Sequence, residues 1–128
     1  MEGEWKLYLW SNEEHNLLKP GITTRAAKKR LPEYLKEHPE LPRKGWLLQT
    51  EIPLGTTLRI TATLIEIAVK AVLIVAGATG VVAVAGAKGI HEVFRWRRDV
   101  ALAKKLVEDE VALHLKDKAK PAKKLARA

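Results

Sequence analysis

Glu66 is the residue whose placement poses the sharpest chemical question in this sequence. It stands in "TLIEIAV", with Leu64, Ile65, Ile67 and Ala68 around it, and an unpaired carboxylate among such neighbours is costly to bury. Two solutions are open: it faces a polar cleft, or it pairs with a base such as Lys70, one helical turn along. Arg30 closes the run Lys28-Lys29-Arg30, which reads as a solvated basic face. Tyr8 lies in the alternating stretch "WKLYLW", where a half-buried strand aromatic is the plain expectation. His15, His38, His91 and His114 are too scattered to form a metal set by spacing and are expected at the surface. The absence of cysteine excludes disulfides and thiolate chemistry.

A second stretch with chemical character is "VLIVAGATGVVAVAGAKG", Val72 to Gly89. Gly77, Gly80 and Ala83 have the GxxGxxA spacing of a dinucleotide-binding loop. That fingerprint needs a following helix, a second strand ending in an acid and further βα units. Only 45 residues follow Ala83, and they read as one charged helix, so the dinucleotide reading is rejected. A phosphate loop of the GxxxxGK[ST] type is absent, and no small-molecule cofactor is expected.

The elements that must position these residues follow from periodicity. "WKLYLW" alternates with period two and predicts a strand; "SNEEHN" supplies a hairpin loop, and "LLKPGITT" a second short strand. Thr23 or Thr24 is the expected N-cap of "RAAKKRLPEYLKEH", whose Ala27, Leu31, Tyr34 and Leu35 share a helical face, with Pro32 breaking or restarting the helix. "HPELPRKG" is a loop. "WLLQTEIPL" is a third strand, which Pro53 ends or marks as an edge. From Thr56 or Thr57 a helix runs through "LRITATLIEIAVKAVLIVA". Trp96, Val100, Ala103, Val107 and Val111 make one stripe of a long amphipathic helix over 91–117. Pro121 is expected to end it, leaving 118–128 as a disordered basic tail.

Taken together, "KLYLW", "KPGIT", "KKRL" and "TLIEIAV" resemble the GIY-YIG nuclease family, in its diverged form where the second motif reads Lys-x-Gly-Ile-Thr. The resemblance covers about residues 5–70. It implies a small α+β domain over 5–69, a three-stranded antiparallel sheet with flanking helices. Tyr8 matches the tyrosine of the first motif and Gly21 the glycine of the second, with Lys19 standing where a tyrosine is usual. Arg30 matches the family's arginine, with Arg25 as the fallback, and Glu66 its metal-binding glutamate. Tyr34 lies one turn past Arg30 and is given no role. The resemblance implies metal-dependent phosphodiester cleavage, or nucleic-acid binding on the same surface where activity has decayed. In that scheme Tyr8 handles the proton, Arg30 the phosphate charge and Glu66 a Mg²⁺ ion, while Lys19, Arg25, Lys28 and Lys29 contact phosphate. A lone carboxylate suits Mg²⁺, which keeps most of its waters.

Charge and hydropathy add the partners. The net charge is +8, and residues 91–128 carry eleven bases against six acids, so nucleic acid or anionic lipid is the natural counterpart of that third. Ala71 to Ala87 is 17 residues without a charge, flanked by Lys70 and Lys88. Three readings of it stay open: a transmembrane helix within an apolar segment 70–90, a buried helical hairpin turning at Gly77–Gly80, or a helix packed inside a homo-oligomer. The acidic N-terminus has no apolar region of the signal-peptide kind. The alternative function is that of a non-enzymatic membrane or assembly component, oligomerising through Ala71–Ala87 with its basic helix on anionic lipid.

Overall fold

The computed structural model describes residues 3–84 and 92–127. In chain order it contains β1 (Lys6–Asn12), β2 (Leu17–Thr23), α1 (Ala27–Glu37), β3 (Trp46–Pro53), α2 (Arg59–Val75), β4 (Thr79–Gly80), a 3₁₀ turn at Val82–Val84, β5 (Phe94–Arg95) and α3 (Val100–Arg127). The fold class is α+β: one antiparallel sheet in the order β3-β1-β2-β5-β4 and three helices. β1 lies between β3 and β2 and is buried on both faces. Its Leu7 and Leu9 join Leu18 in a core with Ala62, Ile65, Val69 and Leu73 of α2 and Ala103, Val107 and Val111 of α3. Tyr8 and Trp10 point the other way, into a second core with Ala27, Leu31, Tyr34 and Leu35 of α1. The period-two alternation of β1 thus separates two layers of helices.

Five strands form where three are expected. β5 pairs only Leu17 and Leu18 of β2, and β4 pairs only β5, so each added strand is two residues long and has no period to read. β2 therefore has no strand partner on that side from Lys19 to Thr23 among the described residues. Pro20, which has no N–H to donate, falls in that open stretch. β3 is an edge strand that ends at Pro53.

The expected caps are displaced. Thr23 Oγ1 accepts from Arg25 N at 3.0 Å and Thr56 Oγ1 from Leu58 N at 3.0 Å. Each threonine makes a local turn two residues long, and the caps fall at Ala26 and Leu58 without side-chain bonds. α1 runs through Pro32 unbroken. Pro32 and Lys28 are exposed, so the Lys28 carbonyl that loses its donor is on the solvent side of the helix, where the loss costs least.

The apolar helix expected over 70–90 does not form as one element. α2 ends at Val75, where Ala78 N donates to Leu73 O at 2.9 Å and Gly77 N to Ile74 O at 3.0 Å. With Gly77 at φ +118°, this is a Schellman stop, and Leu73 and Ala78 share the core as its apolar clasp. Among the described residues no helix is long and apolar enough to cross a membrane. The rest of that stretch, 85–91 with Lys88 and His91, lies outside the described residues.

A Cβ at Gly77 would touch only Arg98 Cδ, at 3.8 Å, so Gly77→Ala meets open space but an unfavourable backbone. It is expected to lower stability by about 1–2 kcal/mol, read as a lower urea midpoint with an unchanged slope. A midpoint equal to that of the parent would show that α2 does not need this stop.

The C-terminal helix starts later than expected. Phe94 and Arg95 are taken by β5, Asp99 Oδ1 accepts from Ala101 N at 2.9 Å, and α3 opens at Val100. It continues past Pro121 to Arg127. The stripe itself is kept: Ala103, Val107 and Val111 are buried, as is Trp96, which donates from Nε1 to Asp99 O at 3.0 Å. Trp96 is a core residue here, with no ring face free to stack on a base.

Candidate active site

Lys19 is the centre of the only cluster of buried ionisable side chains among the described residues that draws on several elements. It stands on β2 beside Tyr8 of β1, with Tyr34 of α1 closing from the sheet face. Its Nζ donates to the Tyr8 hydroxyl at 2.6 Å, lies 4.8 Å from the centre of the Tyr8 ring and 3.9 Å from that of Tyr34. All three residues are buried. A lysine reaches this position because Leu18 and Ile22 take the opposite face, while Leu17, Lys19 and Gly21 share the face of Tyr8.

Burial is the first cause of every shift in this cluster. It pushes the Lys19 ammonium down to about 7, with Arg30 and Lys70 adding to the fall and Glu92 and Glu66 opposing it. It pushes the Tyr8 phenol well above its ordinary range; Arg30 works against this, and Glu66 and Glu92 reinforce it. Tyr34 is raised likewise by burial and then by the Glu92 carboxylate. The Tyr34 hydroxyl is buried with no partner within ordinary hydrogen-bond distance among the described residues. The phenols are therefore neutral at physiological pH, while Lys19 is divided between ammonium and free amine.

Arg30 and Glu66 border this core. Glu33 is held bidentately by Arg25, at 2.8 and 2.6 Å. Arg30 is left with one 3.5 Å contact to the same carboxylate and a partly exposed guanidinium, which keeps its remaining donors available. Glu66 lies 3.6 Å from Lys70, with about a fifth of its side chain exposed (19%). Of the two solutions offered by the sequence, the structure shows the pairing with Lys70 one turn along; Glu66 also lies within electrostatic reach of Tyr8 and Lys19.

The residues singled out from sequence thus divide. Tyr8 and Lys19 are in direct contact, whereas Arg30 and Glu66 act on them only at electrostatic range. Lys19 is not an outward phosphate contact, because the sheet and Tyr34 enclose it. Arg25 is engaged by Glu33, and Lys28 and Lys29 are exposed on α1. Sequence reasoning missed Tyr34, which reads as a core aromatic, and Glu92, which sits in an aperiodic connection and arrives through the pairing of β5 with β2.

No group of three or more acidic or histidine side chains suited to a metal is found among the described residues. Glu66 is the carboxylate that would hold a Mg²⁺ ion here, in competition with the Lys70 ammonium beside it. At 3.6 Å the Lys70 contact is longer than a charge-assisted hydrogen bond, so the carboxylate has coordinating capacity left, and Mg²⁺ needs only one or two protein carboxylates. Comparison of the chain with known protein families, curated proteins and solved structures gives no match.

Proposed function

We propose that this chain hydrolyses phosphodiester bonds in nucleic acid with the help of Mg²⁺. The observation that carries the reading is the hydrogen bond between Tyr8 and a lysine whose ammonium is pushed down to about 7. A free amine at that position takes the phenolic proton as the Tyr8 oxygen accepts one from the attacking water. The water oxygen bonds to phosphorus, the bond to the leaving oxygen breaks, and that oxygen takes up a proton from solvent. Arg30, with donors to spare, meets the charge that builds on the phosphorane. When bound at Glu66, Mg²⁺ supplies charge neutralisation at the leaving oxygen. Lys28 and Lys29 offer exposed charge to the nucleic-acid backbone. The resemblance to GIY-YIG nucleases through Tyr8, Gly21, Arg30 and Glu66 supports the same reading.

A supercoiled plasmid incubated with the protein is expected to be nicked in Mg²⁺ and left intact in chelator. Glu66→Gln is expected to lower the nicking rate by ~100-fold or more with the circular dichroism spectrum retained. Nicking that ignores chelator, or an unimpaired Glu66→Gln, would overturn the assignment. The burial of Tyr8, Lys19 and Tyr34 favours a second reading, nucleic-acid binding without cleavage. Its signature is salt-dependent binding that Lys28→Ala/Lys29→Ala weakens, with no nicking in any metal.

A further inference from the structure

α2 is apolar on two opposite sides. With 3.6 residues per turn, Ala62, Ile65, Val69 and Leu73 point into the core, while Ile60, Leu64, Ile67, Ala71 and Ile74 line the opposite side. Their spacing of four, three, four and three is that of a coiled-coil seam. Ile60, Leu64, Ile67, Ile74 and the adjoining Val75 are between 44% and 89% exposed. Glu66 and Lys70 are confined to one flank, so the seam carries no charge. A surface helix ordinarily buries a single apolar stripe, so a second one on its outer side calls for a partner.

We infer that this seam is the interface between two copies of the chain, α2 packing antiparallel on α2. The area is compatible: at these exposures the patch reaches roughly 600 Å², the upper end of what the largest apolar patches of monomers show, and with its rim it approaches the about 800 Å² per partner of a standard interface. The side-chain sizes fit too. A two-fold axis between Leu64 and Ile67 sets Leu64 of one copy against Ile67 of the other, and the large Ile60 against the small Ala71. The same operation brings Ile74 to the exposed Leu58, which precedes the helix. Such an isologous pair closes on itself. It leaves the Glu66 and Lys70 flanks of both copies on the same side of the dimer, because a two-fold perpendicular to the helix pair keeps each flank on its side.

Sedimentation equilibrium of the full chain without detergent is expected to give twice the 14.3 kDa chain mass. Leu64→Glu and Ile67→Lys, at positions exposed in the monomer, are each expected to keep the parent circular dichroism spectrum and weaken dimerisation by ~100-fold or more. Mixed in equal amounts, the two variants are expected to recover the dimer, since the new carboxylate then faces the new ammonium. A parent chain that stays monomeric at high micromolar concentration would overturn the inference; flotation of that monomer with phosphatidylcholine vesicles would transfer the seam to lipid. Variants that dimerise like the parent, or a mixture that does not recover the dimer, would overturn the antiparallel pairing.

Discussion

Lys19→Met is expected to abolish plasmid nicking and, in the same protein, to remove a pH dependence of stability. Folding takes Lys19 from an ordinary lysine, with a pKa near 10.5, to one pushed down to about 7. Between those values the unfolded chain binds a proton that the folded chain does not, so stability rises with pH across this window. The cost of the buried charge is full below about pH 7 and gone by about 10.5. A displacement of this size amounts to something on the order of 5 kcal/mol. Tyr8 and Tyr34 act in the opposite sense. Their raised pKa values give stability that is complete below pH 10 and is lost above it, so the cluster is most stable near pH 10. Urea midpoints measured at intervals from pH 6 to 10 are expected to climb for the parent and to climb far less for Lys19→Met. Equal slopes would mean that Lys19 is not charged and buried as described.

Catalysis reads the same titration from the other side. The proton relay needs the free amine, so the nicking rate of the parent is expected to rise through pH 7 and level off above it. Lys19→Met has no group to receive the phenolic proton, and a fall of ~100-fold or more is expected at pH 8. A rate flat from pH 6 to 8, or a methionine variant that nicks normally, would remove Lys19 from the chemistry and leave Tyr8 without an acceptor.

How far this site was legible follows from which residues carry a period. Tyr8, Arg30 and Glu66 lie on elements whose repeats of two or 3.6 are plain in the sequence, and Lys19 lies on a strand legible mainly as the return arm of the first hairpin. The glycine-rich stretch was legible as apolar but not as a stop. Gly77 ends α2 through backbone bonds to Leu73 and Ile74, which depend on its positive φ and not on any motif. Glu92 was hidden because β5 pairs just two residues of β2. Tyr34 was visible as part of an apolar face, yet an aromatic that packs and one that lies 3.9 Å from a buried ammonium have the same spacing. The enclosure of Lys19 was the least readable, since "KPGIT" carries a charge and a proline and looks like a strand margin. Only the arrival of α1 over the sheet turns it into an interior.

Among Gly3, Gly21, Gly45, Gly55 and Gly77, Gly21 is the position where an added methyl should do the most damage. Gly21 stands directly opposite Tyr8 in the β1–β2 register, and the phenol lies over its Cα. A Cβ there would run into the Tyr8 hydroxyl and ring. The backbone cannot yield, because β1 is fixed between β2 and β3 with helices on both faces. Tyr8 must therefore turn away, breaking its 2.6 Å bond with Lys19 and leaving that buried amine without a partner. Overpacking and an orphaned polar group together predict a loss of about 2–4 kcal/mol, along with nicking. A double-mutant cycle separates this cause from a general dislike of alanine in the strand. In a Tyr8→Leu background the methyl has room, and Gly21→Ala is expected to cost little. Were the cost the same in both backgrounds, the phenol would not be the reason for the glycine. If the cost vanishes with the phenol, the glycine of "KPGIT" is there to let Tyr8 lie down against Lys19, and one small residue on β2 sets the geometry on which proton transfer depends.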